Sequence, residues 1–184
     1  AAGFARTYRI NRDDKNYNLD EDYTAWDALL TMESTRERYP QEAFYAMMNL
    51  VGSHDTARIL SYLDHVEDDG WGNKNNVQNF YPTYTKTSAR AKKLQYMVAL
   101  IQFTYAGAPT IYYGDEIGMD FIPDLPTKEG GYHRTGSRTP MQWDGGWHAG
   151  FTTGTPWLPI NGNCVQINAE AALADPNSVF HYYR

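Results

Sequence analysis

The chain has 184 residues, 42% hydrophobic, 21% charged and 15% aromatic, a composition that suits a globular core and excludes a disordered, collagenous or coiled-coil chain. Its 16 Lys and Arg stand against 22 Asp and Glu, a net charge of -6, so nothing grips a phosphate backbone and nucleic acid is not an expected partner. Cys164 is the only cysteine, which excludes an intrachain disulfide and a multi-cysteine metal site, and no apolar run reaches the roughly 18–20 residues of a bilayer span, so no membrane partner is expected.

The first 22 residues are polar and without helix or strand period, and are expected to be loop. The opening Ala1-Ala2-Gly3-Phe4 has no charged-then-apolar leader pattern, and the compartment stays open. From Tyr23, the apolar positions Trp26, Leu29, Leu30 and Tyr39 predict a short helix that stops before Pro40. Residues Phe44 to Val51 are apolar except for Asn49 and end at Gly52-Ser53-His54-Asp55, which predicts a strand covered on both faces. Ser61 to Thr85, rich in Asp, Asn, Gly and Tyr, reads as a long excursion.

Thr87 or Ser88 is placed to cap a helix whose apolar stripe is Leu94, Met97, Val98, Ile101 and Tyr105, ended by Gly107. Pro109 to Tyr113 predicts a second buried strand closing at Gly114-Asp115-Glu116. Strand, helix, strand with a short turn implies a right-handed crossover and two parallel strands. His54, Asp55, Asp115 and Glu116 then collect at the carboxyl edge, where ligands bind in parallel α/β sheets and barrels. Beyond Gly118 the chain is dense in Gly and Pro and reads as loop, and from Asn168 it regains helical character, with Val179 and Phe180 as apolar contacts.

His54-Asp55 is the sharpest chemical feature. A carboxylate at the tip of a buried strand beside an imidazole is costly unless it has partners or a task, and a satisfied structural pair carries about equal weight. Metal binding has little support, since one His-Asp dipeptide supplies too few ligands. An EF-hand frame with Gly70 at its sixth position would close on Asn76, where a carboxylate is required. The 15 Tyr and 5 Trp pack as core or form platforms on which sugars stack, and core is the favoured reading of each, Trp71, Tyr81, Trp143, Trp147 and Trp157 included.

The block Asn49-Leu50-Val51-Gly52-Ser53-His54-Asp55-Thr56-Ala57-Arg58 resembles the strand-seven signature of glycoside hydrolase family 13, the α-amylase family, in its neopullulanase and cyclomaltodextrinase form. Ala108 to Met119 resembles that family's strand-eight block. Ser137-Arg138-Thr139-Pro140-Met141-Gln142-Trp143-Asp144, then Ala149 to Gly154 and Ala174 to Phe180, is similar to the oligo-1,6-glucosidase branch. The resemblance covers nearly the whole chain from about Ala25.

It implies an α/β fold that is the carboxyl-terminal portion of a (β/α)8 TIM barrel, from about helix six to helix eight, with residues 1–184 forming one partial catalytic domain. It makes Asp55 the third catalytic carboxylate, which stabilises the oxocarbenium-like transition state. His54 and Arg138 become sugar binders, with Asp144 a weaker candidate beside them. Asp115 and Glu116 would shape the pocket floor or simply cap the turn after strand eight. The implied partners are an α-glucan oligosaccharide substrate and the remainder of the same barrel. No organic cofactor is implied; calcium often accompanies the complete enzymes, and no ligand set for it is visible in this sequence.

Retaining hydrolysis needs a nucleophilic carboxylate and a protonated acid/base carboxyl about 5–5.5 Å apart. The family's blocks for both, from strands four and five, are not found: Arg12-Asp13-Asp14 lacks the strand that should precede it. A complete barrel typically needs about 250 residues, so the isolated chain is expected to be incomplete and inactive alone. The strand-seven block leans towards endo-acting relatives and the Arg138 block towards exo-acting α-glucosidases. A non-catalytic sugar-binding or protein-interaction module built on the same fold is the second reading.

Overall fold

The computed structural model describes residues 25–64, 87–126 and 133–184. The expected opening loop, Arg12-Asp13-Asp14, Trp71, Tyr81 and most of the predicted excursion over 61–85 lie outside the described residues.

Helix α1 spans Ala25–Arg38 and ends before Pro40, as proline at that position dictates. Pro40 then precedes a one-turn helix, α2, Gln41–Tyr45, so the predicted strand over 44–51 loses its first half. Phe44 is the buried residue of α2, set edge-on to Tyr105 at 5.6 Å between ring centroids. Strand β1 is only Met48–Leu50.

After β1 the chain turns and forms helix α3, Ile59–Asp64, a correction to the reading of Ser61 onwards as loop. Ile59, Leu60 and Leu63 pack on Ala91 and Val98 of helix α4, Ala89–Thr104, with Val51 and Leu94 at the margin. Ser88 caps α4 by accepting the Ala91 N–H at 3.1 Å, the expected N-cap geometry. Strand β2, Ala108–Thr110, pairs parallel with β1 in the register Met48 to Ala108 and Leu50 to Thr110. It starts one residue earlier and ends three sooner than predicted.

The buried stripe of α4 differs from the predicted one. Ala91, Gln95, Val98, Ala99 and Gln102 are buried, while Met97 and Ile101 are exposed. Two glutamines hold the inner face because backbone carbonyls meet it there, that of Asp115 in the turn beyond β2 for Gln95 and those of the strands for Gln102. Gln102 Nε2 donates to Asn49 O at 2.8 Å and Thr110 O at 2.7 Å, and Asn49 Nδ2 returns bonds to Gln102 O and Tyr105 O. Asn49, the polar interruption in the apolar run, thus fastens β1 to the carboxyl end of α4. A Cβ on Gly107, whose φ is 132°, would fall 2.5 Å from its Oδ1.

Neither strand is covered on both faces, a second correction. Met48 and Leu50 are 58% and 52% exposed, because among the described residues the two strands have no further strand beside them. Beyond β2 the described chain runs through short 3-10 turns over Asp115–Ile117, His133–Ser137, Trp147–Gly150 and Gly162–Val165, as the Gly and Pro density predicts. Helices α5, Ala169–Ala174, and α6, Val179–Tyr183, are capped by Asn168 and Ser178. Ala169, Ala172 and Phe180 close over a second core of Ile117, Met119 and Met141. No helix among the described residues is long and apolar enough to cross a membrane.

Candidate functional site

The turn that carries His54 and Asp55 is built by its own sequence. Ser53 N–H donates to Thr56 Oγ1 at 3.1 Å, Thr56 N–H donates back to Ser53 O, and Ser53 Oγ accepts the Asp55 N–H at 3.1 Å. Serine opening such a turn is favoured because its hydroxyl replaces a backbone partner. The result presents His54 and Asp55 at the tip, just past the carboxyl end of β1.

There the Asp55 carboxylate, 50% exposed, meets three cationic or ionisable side chains. Arg138 Nη2 donates to Oδ1 at 3.0 Å, Arg134 Nη1 donates to the same oxygen, and His54 Nε2 lies 3.4 Å from Oδ2. Arg138 Nε also donates to His54 O at 3.0 Å. The structure therefore brings His54, Asp55 and Arg138 together. Asp144 is engaged elsewhere: its Oδ1 accepts the Gly146 N–H at 2.8 Å, and its carboxylate fills the space beside Gly150.

Arg134 was not singled out in the sequence. It lies within the 3-10 turn His133–Ser137, four residues before Arg138, and both guanidinium groups reach the same Asp55 oxygen. The carboxylate is half open to solvent, and two largely buried guanidinium groups fix its direction.

Asp115 and Glu116 divide. Glu116 Oε2 accepts the Gly114 N–H at 2.7 Å, a turn-capping bond where Gly114 stands at φ 88°. Asp115 is buried against Arg58, whose side chain is 0% exposed, with Nη1 3.5 Å from Asp115 Oδ1. Burial pushes the Asp115 carboxyl from 3.8 up to about 7; Arg58 opposes the rise and Glu116 adds to it. Tyr112, on the segment before it, and Tyr183 of α6 also sit in its field.

Between pH 3.8 and about 7 the folded chain holds a proton at Asp115 that the unfolded chain has released, so this group lowers stability progressively as the pH rises through that window. Asp115→Asn removes the ionisation. Melting curves are expected to show the variant losing less stability than the native protein across this window. Parallel pH dependence of the two would assign the proton elsewhere.

A cavity of about 380 Å³ lies in the helical layer, lined by Lys92, Gln95, Tyr96, Asp175 and Asn177 among others, and none of the Asp55 cluster lines it. No group of three or more His, Cys, Asp or Glu among the described residues is arranged to hold a metal ion.

Comparison with known proteins fits this geometry. Residues 4–184 match the family model "Alpha amylase, catalytic domain". The chain is 36% identical over 160 residues to the probable oligo-1,6-glucosidase 2 of Bacillus subtilis, covering 72% of this chain and 25% of that protein. It is 38% identical over 159 residues to the trehalose-6-phosphate hydrolase of the same species, with 72% and 25% covered. Among solved structures, the trehalulose synthase MutB of Pseudomonas mesoacidophila superimposes with a TM-score of 0.53 at 26% identity, over 75% of this chain and 26% of that one. The chain spans about a quarter of the length of these relatives. The parallel strand pair, the open carboxylate past its carboxyl end and the family match thus converge: the chain belongs to the α-amylase family of glycoside hydrolases, family 13.

Proposed function

We propose that the chain is part of a retaining α-glucoside hydrolase acting on starch-derived oligosaccharides, and that Asp55 stabilises its transition state. The observation that carries this reading is the half-open Asp55 carboxylate, oriented by Arg138 and Arg134 just past the carboxyl end of a parallel strand. Ligands sit at that edge in parallel α/β folds. On this reading β1 and β2 are strands seven and eight of a (β/α)8 barrel, and residues 1–184 run from about helix six to helix eight.

The work assigned to Asp55 is electrostatic and positional. As the glycosidic bond breaks, positive charge grows on the sugar ring, and a fixed carboxylate favours that charge more than the neutral ground state. Its oxygens also accept hydrogen bonds from ring hydroxyls, which align the sugar for attack. His54, on the same turn, donates to a hydroxyl of that ring. Arg138 and Arg134 hold the carboxylate so that it need not reorganise as charge develops. The nucleophile and the acid/base carboxyl belong to the rest of the protein, about 5–5.5 Å apart across the bond that breaks.

The names of the relatives favour terminal α-1,6-linked glucose as the substrate, since they include oligo-1,6-glucosidases and a glucan 1,6-alpha-glucosidase of Streptococcus pneumoniae. Assay of the complete protein on isomaltose, maltose and a cyclodextrin tests this. Release of glucose from isomaltose faster than from maltose, with the cyclodextrin untouched, is expected. Cyclodextrin opening would replace the exo-acting assignment, and no turnover of any α-glucoside would overturn the hydrolase reading.

A further inference from the structure

We propose that Arg58 is a positioning residue for this site: its buried guanidinium locks the segment bearing Asp55 to the segment bearing Arg138. The inference rests on the reading of Asp55 given above, and goes beyond it in naming what holds Asp55 and Arg138 in register.

Arg58 leaves the chain three residues after Asp55 and is fully buried. Its Nη1 donates to Tyr113 O at 2.6 Å and approaches Asp115 Oδ1 at 3.5 Å. Its guanidinium carbon lies 5.1 Å and 4.9 Å from the ring centroids of Tyr112 and Tyr113, within cation–π range. Those two rings reach onward. Tyr112 Oη donates to Ser137 O at 3.0 Å and Tyr113 Oη to Thr139 O at 2.7 Å, the residues on either side of Arg138. Ser137 Oγ in turn donates to Thr56 O, next to Asp55. The contacts form a closed circuit that runs from Asp55 through Thr56, Arg58, the two tyrosines and the Arg138 segment back to the Asp55 carboxylate.

The circuit is tightly fitted. A Cβ on Gly52 would fall 2.6 Å from Asp115 Oδ2, so the end of β1 lies flush against the carboxylate. It is also electrostatically expensive, because Arg58 Nε, Arg58 Nη2 and Asp115 Oδ2 are buried without a protein partner. A well-packed apolar side chain of similar volume often serves stability better than a buried pair of this kind. What an apolar chain cannot supply is a nitrogen that donates to the Tyr113 carbonyl beside the Asp115 carboxylate while the planar group lies over two aromatic rings.

The test is made in the complete protein. Arg58→Lys keeps charge and length and loses the planar fork; Arg58→Met keeps volume and loses the charge. Loss of site geometry of about 1 Å costs on the order of 100-fold, so both variants are expected to lower kcat by about 10- to 100-fold while KM moves by less than about threefold. Melting temperature is recorded alongside, and Arg58→Met is expected to melt no lower than Arg58→Lys. Should either fail to fold, the Tyr112→Phe, Tyr113→Phe double variant deletes only the two hydroxyl bonds, and a drop in kcat of about tenfold with KM little changed is expected.

Folded variants whose kcat stays within about twofold of native would overturn the proposal, as would a loss carried wholly by KM. Asp55→Asn separates the two claims. If it abolishes turnover while the folded Arg58 and tyrosine variants keep kcat within about twofold of native, only the positioning role fails; if it leaves turnover intact, the reading of Asp55 fails and this inference with it.

Discussion

In the complete protein, Asp55→Asn is expected to reduce turnover at least about a thousandfold with the fold retained, because preorganised charge facing a developing cation is among the largest catalytic contributions. The substitution is nearly isosteric and the residue is half exposed, so little packing changes. The amide oxygen can still accept from Arg134 and Arg138 where Oδ1 does, while the NH2 takes the place of the Oδ2 that faces His54, and the group carries no charge to offer an oxocarbenium-like ring. Steady-state kinetics with a melting curve on the same sample checks this. Turnover near the native value in a folded variant would remove Asp55 from the chemistry.

The second large effect concerns the 184 residues alone. Expressed by themselves, they are expected to hydrolyse no α-glucoside, to associate with rising concentration in sedimentation experiments, and to melt without a sharp transition. Two paired strands of three residues each form a sheet that is at best marginal in water. Their outer edges are open to further pairing. Met48 and Leu50 on β1 and Ile111 just past β2, with Leu100, Ile101 and Phe103 on α4, leave a broad apolar surface exposed, of the kind that marks an interaction face. A monomer with a cooperative melt would mean that these faces need no covering, and would count against the placement of β1 and β2 inside a larger barrel.

Much of this was legible in the residues themselves. Pro40 ends α1 and Ser88 starts α4 through single-residue chemistry that does not depend on tertiary context. The parallel pairing of β1 with β2 followed from the order strand, helix, strand. The inner face of α4 was not legible, because Gln102 is buried for carbonyls on the two strands and Gln95 for the Asp115 carbonyl in the turn beyond β2, and hydrophobic periodicity is blind to that. Phe44 was assigned to a strand because a short apolar run looks alike in a strand and in one turn of helix.

At the site, His54, Asp55 and Arg138 were singled out by their sequence blocks and lie together in the fold. Arg134 was not legible because it sits in a Gly-rich stretch without periodicity, and its partner Asp55 is 79 positions away in the chain. Arg58 closes the strand-seven block, but nothing in its neighbours marks it as buried. Its role depends on Tyr113, 55 positions away in the chain, a distance that only folding closes.

The central claim, that Asp55 meets positive charge in the transition state, is tested most directly with a cationic amino-sugar that mimics the charged ring. Its dissociation constant is compared with the KM of the neutral substrate, in native protein and in Asp55→Asn. If the carboxylate serves the developing cation, the mimic loses at least about 100-fold in affinity while KM changes far less. Equal weakening of mimic and substrate would mean that Asp55 merely holds sugar, and the account would be wrong at its centre.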